Sequence, residues 1–167
     1  MKICRVTALA LIICFLSPVI NVKADKLNID ARCAVAMDSK TKMILYDKNA
    51  DMIVPMASTT KIMTSLVAIK YGDLNKKFTV SKRAASIRGS KVGYRAGEEI
   101  TLRELLFGLM LRSGNDAAIC IAEGIGGSVE RFAELMNEYA CEIGMFNSHF
   151  ETPHGLDRDF HYCTAYE

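Results

Sequence analysis

The chain has 167 residues, of which 50% are hydrophobic, and this length suffices for one domain with a single apolar core. Its 21 basic and 19 acidic residues give a formal net charge of +2. No basic stripe is present that would steer nucleic acid or coat an anionic membrane, so we expect neither as a partner.

The first 24 residues have the three-part pattern of a secretory signal peptide. Two basic residues precede an apolar run over residues 6–16, and a small-residue cleavage site ends at Ala24. A membrane anchor is the alternative, but a spanning helix needs about 20 apolar residues, and Ser17-Pro18 interrupts the run. We therefore predict export with cleavage after Ala24, which leaves 18 basic residues against 19 acidic ones and a net charge of −1.

Four cysteines remain in the predicted mature chain, and they are Cys33, Cys120, Cys141 and Cys163. The first three lie in apolar-patterned segments, where cysteine behaves as a small buried hydrophobe, so we favour buried free thiols over a single disulfide. No two cysteines have the Cys-x-x-Cys spacing of metal ligands. We therefore predict no metal site, and we expect no cofactor.

The first half of the mature chain predicts a hairpin and a buried helix. Apolar runs at 31–37 and 43–46 flank a polar reversal, which is typical of two paired strands. Residues 57–71 are apolar nearly all round and are closed by Gly72, which predicts a helix inside the domain. Residues 73–100 carry many charges and three glycines, which predicts surface structure with short elements.

The second half predicts three more helices. A capping box at residues 101–104 opens the first, and leucines at helical spacing continue it. A small-residue helix over 117–123 runs into Gly124, and another helix begins at Ser128 and stops at Gly144. A two-stranded hairpin is marginal by itself. The predicted fold class is therefore α/β of the α+β type, helix-rich, with an N-terminal β-hairpin whose sheet further strands would complete.

A serine and a lysine at the start of the buried helix form a candidate catalytic pair. Ser58 and Lys61 are three apart, so they share a helix face and the amine can reach the hydroxyl. Lysine can take the serine proton if burial and nearby positive charge lower its pKa. The amino end of the helix can also stabilise an oxyanion. The alternative is an ordinary N-cap serine with a solvated lysine.

Two further places carry candidate chemistry. Ser113 and Asn115 flank Gly114 in a tight turn and present a hydroxyl for proton relay and an amide for holding a peptide. The alternative is a plain helix-to-helix turn in which Asn115 is a cap. His154 invites a catalytic interpretation beside a serine. We favour a shaped loop shared with Gly155, because no aspartate is placed to indicate a relay.

Two segments carry a family resemblance. Residues 55–64 (PMASTTKIMT) and 111–118 (LRSGNDAA) resemble the first two signatures of the low-molecular-weight penicillin-binding proteins, the serine-type D-Ala-D-Ala carboxypeptidases of peptidase family S11. The likeness extends to short stretches at 89–91, 135–137, 144–145 and 153–157. It therefore covers nearly all of the chain after about residue 29.

The resemblance implies the β-lactamase/DD-peptidase-like transpeptidase fold and a two-step acyl transfer. Ser58 would attack the carbonyl between the terminal D-alanines of a peptidoglycan stem peptide, with Lys61 as the base. Ser113 would take part in proton transfer, and Asn115 would hold the substrate. β-Lactam antibiotics would acylate Ser58, and the exported protein would act in the cell envelope.

The sequence departs from the family at its third signature, Lys-Thr-Gly, which is absent between residues 116 and 167. In the family that signature lies on a strand that binds the substrate carboxylate. We therefore expect residues 25–167 to be a partial catalytic domain with little activity. Two alternatives stay open: a serine β-lactamase, which shares the fold and both motifs, and a non-catalytic module that binds peptidoglycan.

Overall fold

The computed structural model describes residues 27–156 and 158–167. The predicted signal peptide, residues 1–24, lies outside the described residues. Residues 31–167 form one compact unit, and the described residues before it, 27–30, contain neither helix nor strand. Within the described ranges, no helix combines the length and apolar character needed to cross a membrane.

The predicted hairpin is present. Antiparallel strands β1 (Ala34–Met37) and β2 (Ile44–Lys48) pair along their length. The Asp38 carboxylate stabilises the reversal between them by accepting hydrogen bonds from the backbone amides of Thr41 at 2.7 Å and Lys40 at 3.1 Å. These bonds, above all those from Thr41, lower the pKa of Asp38. The hairpin prediction is thereby confirmed.

Helix α1 (Thr60–Tyr71) follows a 3₁₀ turn at Ala57–Thr59. We predicted that this helix is buried all round, and for one face that prediction is wrong. Ile62, Leu66 and Ile69 form a stripe at helical spacing and are 55%, 40% and 59% exposed. The opposite face of the helix, with Met63, Val67 and Ala68, packs in the core.

Gly72 ends α1, but with extended backbone at φ −104° and ψ 159° rather than the left-handed conformation common at helix ends. A Cβ at this position would overlap the side chain of Leu102 and the carbonyl oxygen of Ala68. Close packing, rather than a positive φ, is therefore what requires glycine here.

Residues 73–100 contain the short elements that their composition predicts. Strand β3 (Lys77–Thr79) and helix α2 (Lys82–Ser86) are followed by strand β4 (Glu99–Thr101). Strands β3 and β4 pair antiparallel and form a second two-stranded sheet. Phe78 of β3 is buried and anchors this sheet to the helices.

Three longer helices complete the described fold: α3 (Leu102–Leu111), α4 (Asn115–Gly126) and α5 (Val129–Glu142). The predicted capping box opens α3. The Thr101 hydroxyl accepts a hydrogen bond from the backbone amide of Glu104 at 3.3 Å, and the Glu104 carboxylate accepts one from the Thr101 amide at 3.0 Å. This reciprocal pair satisfies amides that the first turn leaves unpaired.

Helix α4 lies at the centre of the fold and packs against α1, α2, α3, α5 and β3. All eight residues from 115 to 122 are buried. The predicted helix over 117–123 was too short, because Gly124 does not end it. A Cβ at Gly124 would overlap the Phe78 ring, so this glycine lets β3 approach the helix. Left-handed Gly127, with φ 79°, is the actual C-cap.

The four cysteines that the structure describes are all free thiols, and their burial differs. Cys120 is buried, and burial raises its pKa to about 12, which makes the thiol unreactive at neutral pH. Cys33 and Cys163 are half-buried. Cys141 is exposed, so the prediction that it is buried is wrong. It lies at the solvent face of α5, in the last turn of the helix.

Candidate active site

Ser58 lies in the 3₁₀ turn that leads into α1, and its side chain is exposed. The preceding residue, Ala57, has φ 45°, a left-handed conformation that is strained for a residue with a Cβ. The Thr59 hydroxyl donates a hydrogen bond to the Met56 carbonyl within the same turn. The backbone of this turn therefore fixes Ser58 at the amino end of α1, and its hydroxyl faces solvent.

The structure brings Lys61 to Ser58, as the spacing of the two residues predicts. The Lys61 Nζ donates a hydrogen bond to the Ser58 Oγ at 3.2 Å and another to the His154 carbonyl oxygen at 2.8 Å. Only 2% of Lys61 is exposed. This burial disfavours the ammonium and lowers the pKa of Lys61 from 10.5 to about 8. A buried amine thus lies next to an exposed hydroxyl.

The loop that covers Lys61 is held on α1 by hydrogen bonds. The Thr64 hydroxyl donates to the Pro153 carbonyl oxygen at 2.7 Å, one turn beyond Lys61. Within the loop, the backbone amide of Gly155 donates to the Thr152 hydroxyl at 3.1 Å. Gly155 has φ 82°, and a Cβ there would overlap the carbonyl oxygen of Ala57. Glycine therefore allows the loop to touch the turn that carries Ser58.

His154 is buried, and its ring forms a hydrogen bond within its own loop. Burial, and then the nearby charge of Lys61, lower the pKa of the imidazole to about 4, so the ring is neutral at physiological pH. Its Nδ1 accepts a hydrogen bond from the backbone amide of Leu156 at 3.1 Å. No hydrogen bond joins the ring to Ser58 in the part of the chain that the structure describes. His154 contributes its carbonyl oxygen, rather than its ring, to the Ser58–Lys61 pair.

Asn115 and Ser58 line one cavity of about 290 Å³, together with parts of the 89–90 and 154–156 segments. The Asn115 Nδ2 donates to the Arg88 carbonyl oxygen at 2.8 Å, and its backbone amide donates to the Ser90 carbonyl oxygen at 2.8 Å. Among the described residues no donor reaches the Asn115 Oδ1. That amide oxygen can therefore accept a hydrogen bond from a molecule in the cavity.

Ser113 lies at the edge of the site, outside the cavity that Ser58 and Asn115 line. It has φ 51° and lines a neighbouring cavity of about 500 Å³, with Lys91 and the end of α3. Ser90 lines both cavities. Within the described ranges no hydrogen bond joins Ser113 to Ser58 or Lys61. The structure thus places Ser58, Lys61 and Asn115 around one site, with Ser113 at its edge.

Asp116 is a buried residue whose structural role the sequence pattern did not predict. Its carboxylate accepts hydrogen bonds from the backbone amides of Val92, Gly93 and Tyr94 at 3.0, 2.8 and 3.2 Å. It ties the segment beside Ser90 to the first turn of α4, next to Asn115. An acidic residue in a first helical turn is a weak signal of such a role, and no signal in the sequence identifies its partners 22 to 24 residues away.

The arrangement suits nucleophilic acyl transfer. An exposed hydroxyl receives a hydrogen bond from a buried amine whose pKa lies within reach of neutral pH, which is the geometry of an activated serine. The cavity beside it has a free amide oxygen to orient a peptide.

Comparison with known proteins then decides the family. The family model Peptidase_S11, described as D-alanyl-D-alanine carboxypeptidase, matches residues 20–167. The chain belongs to this family.

Curated D-alanyl-D-alanine carboxypeptidases are similar over most of this chain. DacF of Bacillus subtilis (strain 168), a D-alanyl-D-alanine carboxypeptidase, is 41% identical over 143 residues, which cover 83% of this chain and 37% of DacF. DacC of Escherichia coli (strain K12), another D-alanyl-D-alanine carboxypeptidase, is 39% identical over 149 residues, with the same two shares. The chain therefore spans about 37% of the length of these curated relatives.

Solved structures of a D-alanyl-D-alanine carboxypeptidase and of a penicillin-binding protein have the same fold. The D-alanyl-D-alanine carboxypeptidase DacD of Francisella tularensis superposes with a TM-score of 0.82 at 39% identity, over 91% of this chain and 38% of that one. Penicillin-binding protein 5 of Haemophilus influenzae superposes with a TM-score of 0.80 at 33% identity, over 86% and 44%. The predicted DD-peptidase-like fold of the α+β class is thereby confirmed.

The contact between the covering loop and the serine turn predicts an unequal effect of two similar substitutions. Gly155 and Gly97 have φ of 82° and 90°, but a Cβ at Gly97 would meet nothing within 4 Å. We expect Gly97→Ala to cost about 1 kcal/mol of unfolding free energy, from backbone conformation alone. We expect Gly155→Ala to cost about 3 kcal/mol, because overlap with Ala57 is added. Urea denaturation of both variants measures the difference, and equal losses would contradict the contact.

Proposed function

We propose that the chain carries the nucleophile and the general base of a serine-type D-alanyl-D-alanine carboxypeptidase. The observation that supports this most directly is the 3.2 Å hydrogen bond from the buried Lys61 amine to the exposed Ser58 hydroxyl. Membership of the S11 family supports the substrate, a peptidoglycan stem peptide that ends in D-Ala-D-Ala. Asn115 is proposed to hold the peptide, because its amide oxygen lines the same cavity as Ser58.

The proposed reaction has two steps. In the first, the Ser58 Oγ forms a bond to the carbonyl carbon of the penultimate D-Ala while its proton passes to the Lys61 Nζ. The C–N bond to the terminal D-Ala then breaks, and the leaving amine takes that proton. In the second step, a water molecule gives a proton to the free Lys61 amine and attacks the ester carbon. The ester C–O bond then breaks, the Lys61 ammonium returns that proton to the Ser58 Oγ, and the shortened peptide is released. Ser113 is proposed to assist proton transfer from the edge of the site.

We also propose where the protein acts and what inhibits it. The leader pattern at residues 1–24 and the similarity to penicillin-binding proteins support a location in the cell envelope, outside the cytoplasmic membrane. A β-lactam antibiotic would acylate Ser58 in place of the peptide, because its strained amide presents an equivalent carbonyl. The proposed acyl transfer requires neither a metal nor a cofactor.

The sequence contains no Lys-Thr-Gly signature, so we propose that the complete reaction needs an element that residues 25–167 do not supply. A chimera tests this directly. The matching residues of this chain would replace those of Bacillus subtilis DacF, which keeps the rest of its own length. We expect the chimera to bind a fluorescent penicillin covalently at one per molecule and to release D-Ala from a D-Ala-D-Ala peptide. Residues 25–167 alone should label at least about 100-fold more slowly, because part of the oxyanion site is missing.

Other outcomes of the same experiment would favour the alternatives. Labelling of residues 25–167 at the rate of the chimera would contradict the proposed dependence on a further element. Rapid turnover of nitrocefin by the chimera, but not by DacF, would favour a serine β-lactamase. Reversible binding of D-Ala-D-Ala peptide without any covalent labelling would favour a non-catalytic peptidoglycan-binding module. DacF itself, treated in parallel, shows that the assay detects an intact enzyme.

A further inference from the structure

The segment that covers Lys61 belongs to a loop whose two ends are paired. The backbone amide of His149 donates to the Tyr162 carbonyl oxygen at 2.8 Å, and the amide of Tyr162 donates to the His149 carbonyl oxygen at 3.0 Å. We call residues 149–156 and 158–162 the covering loop. Its first arm places the His154 carbonyl oxygen on Lys61. Its second arm contains a histidine that the proposed reaction does not use.

That histidine, His161, connects the two arms of the loop to α1. It is 2% exposed. Its Nδ1 accepts a hydrogen bond from the backbone amide of Glu151 in the first arm at 3.0 Å. Its Nε2 lies 2.8 Å from the Thr60 Oγ1. Because Nδ1 accepts a hydrogen bond, it carries no hydrogen. The neutral ring therefore carries its hydrogen on Nε2 and donates a hydrogen bond to the Thr60 hydroxyl.

Thr60 is the residue directly before Lys61, and it is itself 1% exposed. The imidazole therefore joins the loop to the helix one residue before the lysine, while the bond from Thr64 to the Pro153 carbonyl joins them three residues after it. The His154 carbonyl oxygen meets the amine between these two connections. The ring of His161 also packs edge-on against Phe150, with centroids 6.0 Å apart, which fixes its orientation.

We infer that His161 is a positioning residue that seats the covering loop on α1 and so holds the His154 carbonyl oxygen against the Lys61 amine. The inference rests on the proposed roles of Ser58 and Lys61, and His161 itself touches neither reacting atom. The loop is what excludes water from the lysine. If it lifts, water reaches the amine, the ammonium becomes easier to form, and the pKa returns from about 8 towards 10.5.

The test measures the ionisation of Lys61 directly. Residues 25–167 would be treated with limiting acetic anhydride across a range of pH, and mass spectrometry would give the midpoint of acetylation at Lys61. Thr60→Val removes only the hydroxyl that His161 bonds, and His161→Leu removes the bonds to Thr60 and Glu151 described above. We expect each variant to raise the midpoint by about one pH unit or more, as loss of burial requires. Thr60→Ser keeps the hydroxyl and should restore the wild-type midpoint.

A matched control separates positioning from general stability. His149 lies at the base of the same loop, and its Nδ1 lies 2.5 Å from the Phe160 carbonyl oxygen, a contact within the loop rather than with α1. His149→Leu should lower the melting temperature without moving the Lys61 midpoint. Lysines far from the loop, such as Lys70, supply internal references in each sample.

The result that would overturn the inference is an unchanged Lys61 midpoint in Thr60→Val. If His161→Leu does not fold, the Thr60→Val and Thr60→Ser pair still decides. Acetylation of Lys61 does not require catalytic turnover. The acetylation test can therefore fail without the chimera test failing, and the reverse. An inactive chimera would refute the proposed function and leave the positioning of the amine standing. A fixed midpoint would refute the role of His161 and leave acylation of Ser58 untouched.

Discussion

Ser58→Ala in the DacF chimera is expected to abolish covalent labelling by a fluorescent penicillin. The hydroxyl is the only atom group that the substitution removes, and it is the group that receives the Lys61 hydrogen bond at 3.2 Å. Loss of the nucleophile in a serine hydrolase lowers the rate by about 10⁶-fold. We therefore expect a fall of at least about 10⁴-fold in the second-order rate constant of acylation, followed by gel fluorescence and intact-protein mass.

Ser65 provides the matched control. It lies on the same helix, and its hydroxyl donates a hydrogen bond to the Lys61 backbone carbonyl at 2.8 Å without lining the cavity. Ser65→Ala should label within about twofold of the parent, because a helix-internal hydroxyl of this kind contributes little. If Ser58→Ala is still labelled at the parent rate, the nucleophile is another residue and the proposed mechanism is wrong.

Lys61→Arg is expected to lower the acylation rate of the chimera by about 10³-fold, the usual contribution of a general base. The substitution keeps a positive charge at the site. A guanidinium, however, cannot lose its proton in a protein, so it cannot accept the one from Ser58. Retention of at least a tenth of the parent rate would show that Lys61 is not the base.

The pH dependence of the parent chimera follows from the same amine. Burial lowers the pKa of Lys61 from 10.5 to about 8, and only the deprotonated form can act as a base. The acylation rate should therefore rise with pH through about 8 and level off above it. At pH 7 about one lysine in ten is then unprotonated, against about three in ten thousand for an ordinary lysine. A flat profile between pH 6 and 9 would contradict this assignment.

Lys70 is the control for charge near α1. It lies on the solvent side of the helix, where it forms an ion pair with Glu142. Lys70→Arg preserves that pair and leaves the cavity unchanged, so we expect its acylation rate and pH profile to match those of the parent within about twofold. The comparison shows whether an arginine substitution on this helix affects labelling for reasons other than the chemistry of Lys61.

Local sequence signals predicted the elements of the fold well. The polar reversal after Met37 predicted the hairpin, and the capping box at residues 101–104 predicted where α3 begins. Ser128 and Gly144 likewise mark the ends of α5. Each of these signals acts through hydrogen bonds between neighbours in the sequence, which is why the sequence alone reveals them.

Packing between distant elements is where the predictions failed. Gly124 resembled a helix end, but it is a place where the Phe78 ring touches α4, and no local pattern distinguishes the two. The apolar stripe of Ile62, Leu66 and Ile69 predicted burial that the described fold does not provide. An apolar pattern indicates that side chains favour burial. Whether they are buried depends on packing partners from distant parts of the sequence, which the local pattern does not identify.

The candidate site divides in the same way. The spacing of Ser58 and Lys61 predicted their contact, because residues three apart on a helix are neighbours. The supporting groups come from far along the sequence: the His154 carbonyl is 93 residues from Lys61, and His161 is 101 residues from Thr60. Ser113 and Asn115 are two apart, yet they line different cavities, since the left-handed φ of Ser113 turns the chain between them.

The left-handed backbone at Ala57 has a consequence for how a ligand would meet this protein. The main chain directly before Ser58 is fixed when the chain folds, because the carbonyl of Ala57 packs against Gly155. A ligand would thus meet one conformation of the main chain at this turn rather than a mixture of several. Binding then carries no entropy loss for ordering this turn. Recognition depends on how well the ligand fits a preorganised main chain.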